Sequence, residues 1–109
     1  EPLPVPEPEV VAATSDETVV RLPAATQGAR YQVQLARDAA FADLAVDRLL
    51  DEPELAVRHL YPDRYYLRAR TIEADGYEGA FSAPQRLDVV PVRWWPMIAI
   101  PLGLLLLAL

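Results

Sequence analysis

Residues 60–90 read LYPDRYYLRARTIEADGYEGAFSAPQRLDVV, and this stretch decides the fold of the chain. From Tyr65 to Ile72 the side chains alternate between two faces, which is typical of a β-strand that packs one face on a core. Asp75-Gly76 then supplies residues that tolerate positive φ, and a second extended run follows from Gln85 to Val90. The stretch predicts a β-hairpin, and a hairpin needs a larger sheet to be stable in water.

Short apolar and β-branched runs recur upstream of the hairpin, separated by proline, glycine and acidic turn residues. The clearest alternation runs from Arg30 to Arg37, which we predict to be a central strand. Further strands are predicted at Val10–Thr14, Thr18–Leu22, Leu44–Leu50 and Glu54–Leu60. Together with the hairpin, these runs predict about seven antiparallel strands in an all-β sandwich of two sheets.

The alternation also separates a buried face from an outward face in the two best-defined strands. The buried face is predicted to supply the structural core, formed by Tyr31, Val33, Leu35, Tyr65, Leu67 and Ala69. The outward face is a candidate interaction face, formed by Gln32, Gln34, Tyr66, Arg68 and Arg70. Polar and aromatic side chains on a sheet suit contacts with a protein or a glycan. The same side chains also suit an ordinary solvated sheet surface, with arginine stems over apolar neighbours.

Residues 38–43 interrupt the alternation between the predicted third and fourth strands. Asp38 could cap a single helical turn that brings Phe41 against the edge of the core. One such turn is enough to connect the two strands.

Composition excludes several classes of function. The 109 residues carry a formal net charge of -6 and a pI near 4.6, whereas a nucleic-acid-binding protein needs a basic surface to displace phosphate counterions. No cysteine is present, so disulfides, thiolate catalysis and cysteine-based zinc sites are excluded. All ten basic residues are arginine, a bias that we attribute to a GC-rich, bacterial genome. We therefore expect no nucleic-acid partner and one small core held by packing alone.

The first nine residues, EPLPVPEPE, alternate proline with apolar or acidic side chains. Because proline fixes φ and lacks an N–H donor, we predict that residues 1–9 form an extended proline-rich linker. A ligand for a proline-recognising domain is the alternative. The β-sandwich is then predicted to occupy residues 10–90. Since the chain starts without methionine, we expect it to be a piece of a longer polypeptide or a processed product.

Residues 91–109 are predicted to form a juxtamembrane segment and a transmembrane helix. Arg93, Trp94 and Trp95 are typical of a membrane interface, and the thirteen residues from Met97 to Leu109 carry no charged or polar side chain. Counted from Trp94, the helix would reach about 24 Å, which is short of the roughly 30 Å hydrocarbon core. Either the native chain continues or a short anchor thins the bilayer. A buried core element is the alternative.

Three residues and the strand that follows them resemble a known family. Leu60, Pro62 and Tyr65, followed by alternating apolar residues, resemble the start of the sixth strand of fibronectin type III domains. The predicted third strand and the turn at Gly76–Ser82 are also similar to that family, although Leu22-Pro23 stands where its second-strand tryptophan would fall. The resemblance implies that Tyr65 packs between the sheets while its hydroxyl bonds a nearby backbone group.

Two longer segments carry a narrower resemblance. Residues 34–44, QLARDAAFADL, and residues 64–84, RYYLRARTIEADGYEGAFSAP, are similar to modules near the C-terminus of bacterial envelope proteins of the FecR-domain type. In those proteins the module often follows a FecR domain, with or without a LysM module. The resemblance implies a bacterial cell-envelope location, with the sandwich on the extracytoplasmic, periplasmic side of the cell membrane.

No residue pattern predicts catalysis, a cofactor or a metal site. His59 is the only histidine, and no serine, cysteine or second histidine stands at a spacing that would make it a base or a metal ligand. Two acidic clusters lack the spaced loop of a calcium site and are interpreted as solvated turns. They comprise Asp47, Asp51, Glu52 and Glu54, and Glu73, Asp75 and Glu78. We therefore expect a protein that is not an enzyme and binds no cofactor.

These observations support three hypotheses about function. The first is a noncatalytic, membrane-anchored interaction or spacer module of a FecR-like envelope protein, with the lipid bilayer and other envelope proteins as partners. The second is a structural subunit of a larger membrane-associated assembly. The third is an accessory domain that binds glycan or peptidoglycan.

Overall fold

A computed structural model describes residues 5–92, which form seven β-strands in two sheets. β1 (Glu9–Ala13), β2 (Glu17–Arg21) and β5 (Glu54–Arg58) form a three-stranded sheet in that order. β4 (Leu44–Leu50), β3 (Arg30–Ala36), β6 (Arg64–Ile72) and β7 (Gln85–Asp88) form a four-stranded sheet in that order. Neighbouring strands in both sheets are antiparallel. The prediction of a seven-stranded antiparallel sandwich is confirmed.

Five strands end earlier than the sequence predicts: β1, β2 and β3 by one residue, and β5 and β7 by two. β5 ends at Arg58 because His59 adopts a left-handed conformation with φ of 60°, which an extended strand cannot continue through. β7 ends at Asp88, and Val90 instead forms an isolated parallel bridge with Thr14 beside β1. This bridge ties the two sheets together along one edge of the sandwich.

The core lies between the two sheets, and the structure places all six predicted core residues there. Each of the six is at most 4% exposed, and they are Tyr31, Val33, Leu35, Tyr65, Leu67 and Ala69. From the facing sheet, Val20, Leu55 and Val57 pack against them. Leu22, the first residue after β2, belongs to the same cluster. Burying each such large apolar side chain contributes about 1.5–3 kcal/mol.

Tyr65 links this core to the loop that precedes β6. Its ring is fully buried, and its hydroxyl donates a hydrogen bond of 2.6 Å to the backbone carbonyl of Tyr61. Burial raises the pKa of the Tyr65 phenol above its ordinary value of 10.0, because the charged phenolate is poorly solvated there. The side chain therefore fixes the loop from one side and fills the core from the other.

The proline-rich segment at the start of the described chain packs on the sandwich. Pro6 and Pro8 are buried, although they lie within the predicted linker. Pro6 lines a groove together with Pro23, Ala24 and Ala25, and Pro8 lines a second groove together with residues 82–85. Proline rings are apolar and can bury surface even where they donate no hydrogen bond. The packed part of the chain thus begins before residue 10.

The strand directions determine at which of the two ends of the sandwich each connecting segment lies. The parallel bridge joins Thr14 and Val90, which follow β1 and β7, and each strand runs antiparallel to its neighbours within a sheet. One end, which we call the exit end, therefore carries residues 14–16, 37–43, 59–63 and 89–92. The other, which we call the distal end, carries residues 22–29, 51–53 and 73–79.

The predicted transmembrane helix and the predicted interface residues Arg93, Trp94 and Trp95 lie outside the described residues. Within residues 5–92, no helix has the length and apolar character needed to cross a bilayer.

Candidate interaction face

The register between β3 and β6 brings the predicted interaction residues together in cross-strand pairs. Gln32 stands opposite Arg70, and Gln34 stands opposite Arg68. Arg68 Nε donates a hydrogen bond of 2.8 Å to Gln34 Oε1, and Arg70 Nε donates one of 2.7 Å to Gln32 Oε1. Both arginine stems are therefore held across the sheet.

Two phenylalanine rings complete this surface and form what we call the arginine–aromatic ladder, defined by Phe41, Arg68, Phe81 and Arg70. The guanidinium carbon of Arg68 lies 4.2 Å from the ring centroid of Phe41 and 4.0 Å from that of Phe81. The guanidinium carbon of Arg70 lies 4.5 Å from the Phe81 centroid. Each such cation–π contact contributes about 0.5–1 kcal/mol at an exposed site and more when it is desolvated.

Phe41 reaches the ladder through a turn and not through the predicted helical turn. The Asp38 carboxylate accepts hydrogen bonds from the backbone N–H groups of Ala42, at 3.1 Å, and Asp43, at 2.8 Å. Phe41 itself adopts a left-handed φ of 58°, and its ring stacks on Arg68. Phe41 is only 7% exposed, as expected, but it lies outside the central cluster between the sheets, and its ring packs on Arg68 at the outer face of the four-stranded sheet.

The hydrogen bonds to Asp38 also affect its ionisation. The backbone N–H groups of Asp43 and then Ala42 stabilise the carboxylate, so they hold the pKa of Asp38 below its ordinary value of 3.8. The turn and the charge of Asp38 thus stabilise each other.

Phe81 is positioned from the other side of the ladder by its neighbour Ser82. The backbone N–H of Ser82 donates to the Ala69 carbonyl at 2.8 Å, and the Ser82 hydroxyl accepts from the Ala69 N–H at 3.0 Å. These two bonds extend the pairing of the hairpin beyond β7. Because Ser82 is buried against β6, the preceding Phe81 side chain faces outward.

Further polar contacts surround the ladder. Gln32 Nε2 donates to Asp47 Oδ1 at 2.9 Å, and Arg70 Nη1 lies 3.3 Å from Glu78 Oε1. Tyr66 is half-buried beside the ladder, where its backbone pairs with Ala36 on one side and Arg86 on the other. The interaction face is thus a fixed surface of paired side chains.

One member of the predicted interaction face is not accessible. Gln34 is only 7% exposed, whereas Gln32, Tyr66, Arg68 and Arg70 are half-buried. Gln34 therefore supports Arg68 and offers little surface of its own to a partner.

The sequence predicts which strand residues form this face, but it does not predict that Phe41 and Phe81 belong to it. The period of a strand assigns the faces of β3 and β6 directly. Phe41 and Phe81 lie in connecting segments, where no period applies. Two residues could have indicated ordered backbone next to these phenylalanines. They are Asp38 before Phe41 and Ser82 after Phe81, because both side chains form hydrogen bonds with the backbone.

The candidates for catalysis and metal binding do not assemble into a site within residues 5–92. His59 is exposed in the turn after β5. Acidic residues of the two clusters have separate partners: Asp51 lies 3.5 Å from Arg30, and Asp75 accepts the Tyr77 N–H at 3.0 Å. Over the described residues, histidine and acidic side chains do not group in a way that could hold a metal ion.

Comparisons with known proteins identify the fold. No protein-family model matches the chain, and a search of curated proteins finds no match. Solved structures of fibronectin type III domains are similar to it. The sixth fibronectin type III domain of human fibronectin type III domain containing protein 3 has a TM-score of 0.65 at 16% identity, covering 85% of this chain and 90% of that one.

Two further solved structures, from other organisms, are also similar to this chain. The FN5 domain of Drosophila Lar has a TM-score of 0.57 at 18% identity, covering 84% of this chain and 100% of that one. The FN1–FN3 domains of chicken CNTN1 have a TM-score of 0.59 at 21% identity, covering 82% of this chain and 33% of that one. The sandwich is therefore fibronectin type III-like in fold.

Proposed function

We propose that this chain is a noncatalytic interaction and spacer module of a bacterial cell-envelope protein of the FecR-domain type. In this proposal residues 93–109 hold the module at the cell membrane, and the sandwich lies on the periplasmic side. Fibronectin type III-like domains are commonly interaction or spacer modules and are typically noncatalytic. The apolar composition of residues 97–109, after an arginine and two tryptophans, supports the membrane attachment.

The observation that carries the proposal is the arginine–aromatic ladder on the four-stranded sheet. Two arginines stacked on phenylalanine rings form a surface whose rotamers are already fixed. A partner that contacts it loses little side-chain entropy in the module, which favours binding. Arginine and aromatic side chains are also the residue types enriched at protein interfaces.

Photo-crosslinking from Tyr66 tests this proposal. Benzoylphenylalanine replaces Tyr66, which borders the ladder without belonging to it, in the full chain in membranes. Ala56 is the matched control position, because it is exposed on the outer face of the other sheet. We expect adducts of defined mass with another envelope protein from position 66 and not from position 56.

Other outcomes would contradict the proposal. The absence of adducts from position 66, or the same adducts from both positions, would show that the ladder face is not the interaction surface. Adducts between copies of the chain would instead indicate an assembly subunit. Adducts with peptidoglycan would indicate an accessory glycan-binding domain.

A further inference from the structure

The last described residues are fixed to the sandwich up to its end. The Val90 carbonyl accepts the Ser15 N–H at 2.8 Å, and the Val90 N–H donates to the Ala13 carbonyl at 3.2 Å. Two residues later, the Val92 N–H donates to the Ser15 hydroxyl at 3.2 Å. The chain therefore leaves the domain from a defined position at the exit end.

Very little chain separates this fixed point from the residues typical of a membrane interface. Only Arg93 stands between Val92 and the pair Trp94-Trp95. Each residue extends the chain by at most about 3.5 Å, and Trp94 is the second residue after Val92. The first tryptophan is therefore no more than roughly 7 Å from Val92. The interfacial layer of a bilayer is itself about 5–7 Å thick on each side. A tryptophan pair in that layer leaves no room for a wide gap between the exit end and the lipid.

The exit end also presents an aromatic side chain that the fold leaves uncovered. Tyr61 is 74% exposed, yet its backbone is held by the 2.6 Å hydrogen bond from Tyr65. The same loop is tied to the exit segment, because the Val89 N–H donates to the Asp63 carbonyl at 2.9 Å. An exposed tyrosine on a fixed backbone suits the headgroup layer, where one end of the ring is apolar and the other is hydrated.

From these observations we propose that the exit end is a lipid-facing surface, held on the headgroup layer by the short connection at Arg93, with Tyr61 in contact with lipid. This inference rests on the proposed membrane attachment and adds the side of the domain that contacts the bilayer. The nine residues of β6 run from the exit end to the distal end, so the distal end stands roughly 30 Å above the lipid. The ladder face then lies along the side of the module, open to proteins that approach parallel to the membrane.

Quenching by headgroup-labelled lipid tests this orientation in the full chain. The chain contains no cysteine, so Tyr61→Cys and Tyr77→Cys each accept a single bimane label. Both side chains are exposed, at 74% and 58%, and they lie at opposite ends of the sandwich. In phosphatidylcholine–phosphatidylglycerol vesicles that carry a nitroxide on the lipid headgroup, we expect several-fold stronger quenching at position 61 than at position 77.

A flexible insertion provides the control for the short connection. About twelve Gly and Ser residues inserted between Val92 and Arg93 would allow a separation of about 20 Å. We expect this insertion to reduce the quenching at position 61 to that at position 77. Strong quenching that persisted after the insertion would show that the short connection is not what holds the exit end on lipid.

Flotation of the same samples separates a loss of membrane attachment from a different orientation on the membrane. Labelled chain that does not float with the vesicles would overturn both the membrane attachment and the orientation. Chain that floats but is quenched equally at positions 61 and 77, or more at 77, would overturn the orientation alone.

Discussion

Tyr65 shows how one side chain serves the core and a loop together. Its ring fills the space between the sheets, and its hydroxyl reaches back to the Tyr61 carbonyl. Removal of the hydroxyl alone leaves a carbonyl without its partner, whereas removal of the ring leaves a cavity. The two effects differ in size and can be measured separately.

We predict that Tyr65→Phe lowers the free energy of unfolding by about 1 kcal/mol, and that Tyr65→Ala lowers it by about 3 kcal/mol or more. Urea-induced unfolding of both variants measures the difference. Equal and negligible effects would show that Tyr65 does not have this role.

The raised pKa of Tyr65 predicts a loss of stability in alkali. Because the pKa of the phenol is higher in the folded chain than its ordinary value of 10.0, folding favours the protonated form. This contribution is complete below pH 10 and is lost as the pH rises through the folded-state pKa. Thermal unfolding at increasing alkaline pH should show a steeper decline in wild type than in Tyr65→Phe. Identical profiles would contradict the assignment of this titration to Tyr65.

At the scale of elements, the arginine–aromatic ladder joins two connecting segments to the strand between them. Phe41 comes from the turn after β3, and Phe81 comes from the segment before β7. Arg68 on β6 stacks between them. The ladder therefore adds side-chain contacts to two segments whose backbones are already held by Asp38 and by Ser82.

We predict that Arg68→Ala lowers the free energy of unfolding by about 3 kcal/mol, from two cation–π contacts of about 0.5–1 kcal/mol each and one charged hydrogen bond of about 1.5 kcal/mol. Arg86→Ala is the matched control, since Arg86 lies on the neighbouring strand and forms an exposed ion pair with Asp88. That control should change stability by less than about 0.5 kcal/mol. If both variants unfolded at the same urea concentration, the ladder would have no energetic role.

The turn that carries Phe41 should respond to acid. The pKa of Asp38 is lowered by hydrogen bonds from the backbone of Asp43 and Ala42, so this stabilisation is present above pH 3.8 and is lost as the pH falls through the folded-state pKa. We expect the backbone amide signals of Ala42 and Asp43 to shift in an NMR titration below pH 3.8. In Asp38→Asn this transition should be absent. A transition that persists in the variant would belong to another group.

The strands and their faces could be predicted from the sequence, while the segments between them could not. Alternation with period two assigns Leu67 inward and Arg68 outward without knowledge of any neighbour. The position of Phe41 depends on a left-handed residue inside a network of hydrogen bonds to Asp38. The burial of Pro6 and Pro8 depends on neighbouring loops that are in place only once the sheets have formed. Both are properties of tertiary structure.

At the scale of the whole molecule, one small sandwich supplies two distinct surfaces. The ladder face lies on the four-stranded sheet, and the exit end lies where the chain leaves at Val92. The two surfaces meet at Phe41, which belongs to the ladder and lies in the 37–43 segment of the exit end, whereas Arg68, Arg70 and Phe81 lie farther along the sheet.

Flotation of two forms of the chain tests the central claim, which is that a self-contained sandwich is held at the membrane by residues 93–109. The full chain and a form ending at Val92 are mixed separately with phosphatidylcholine–phosphatidylglycerol vesicles and centrifuged through a density gradient. We predict that the full chain floats with the vesicles, whereas the shorter form stays in the buffer with the circular dichroism of a folded β-protein. A full chain that stays in the buffer, or a shorter form that floats equally well, would contradict the claim.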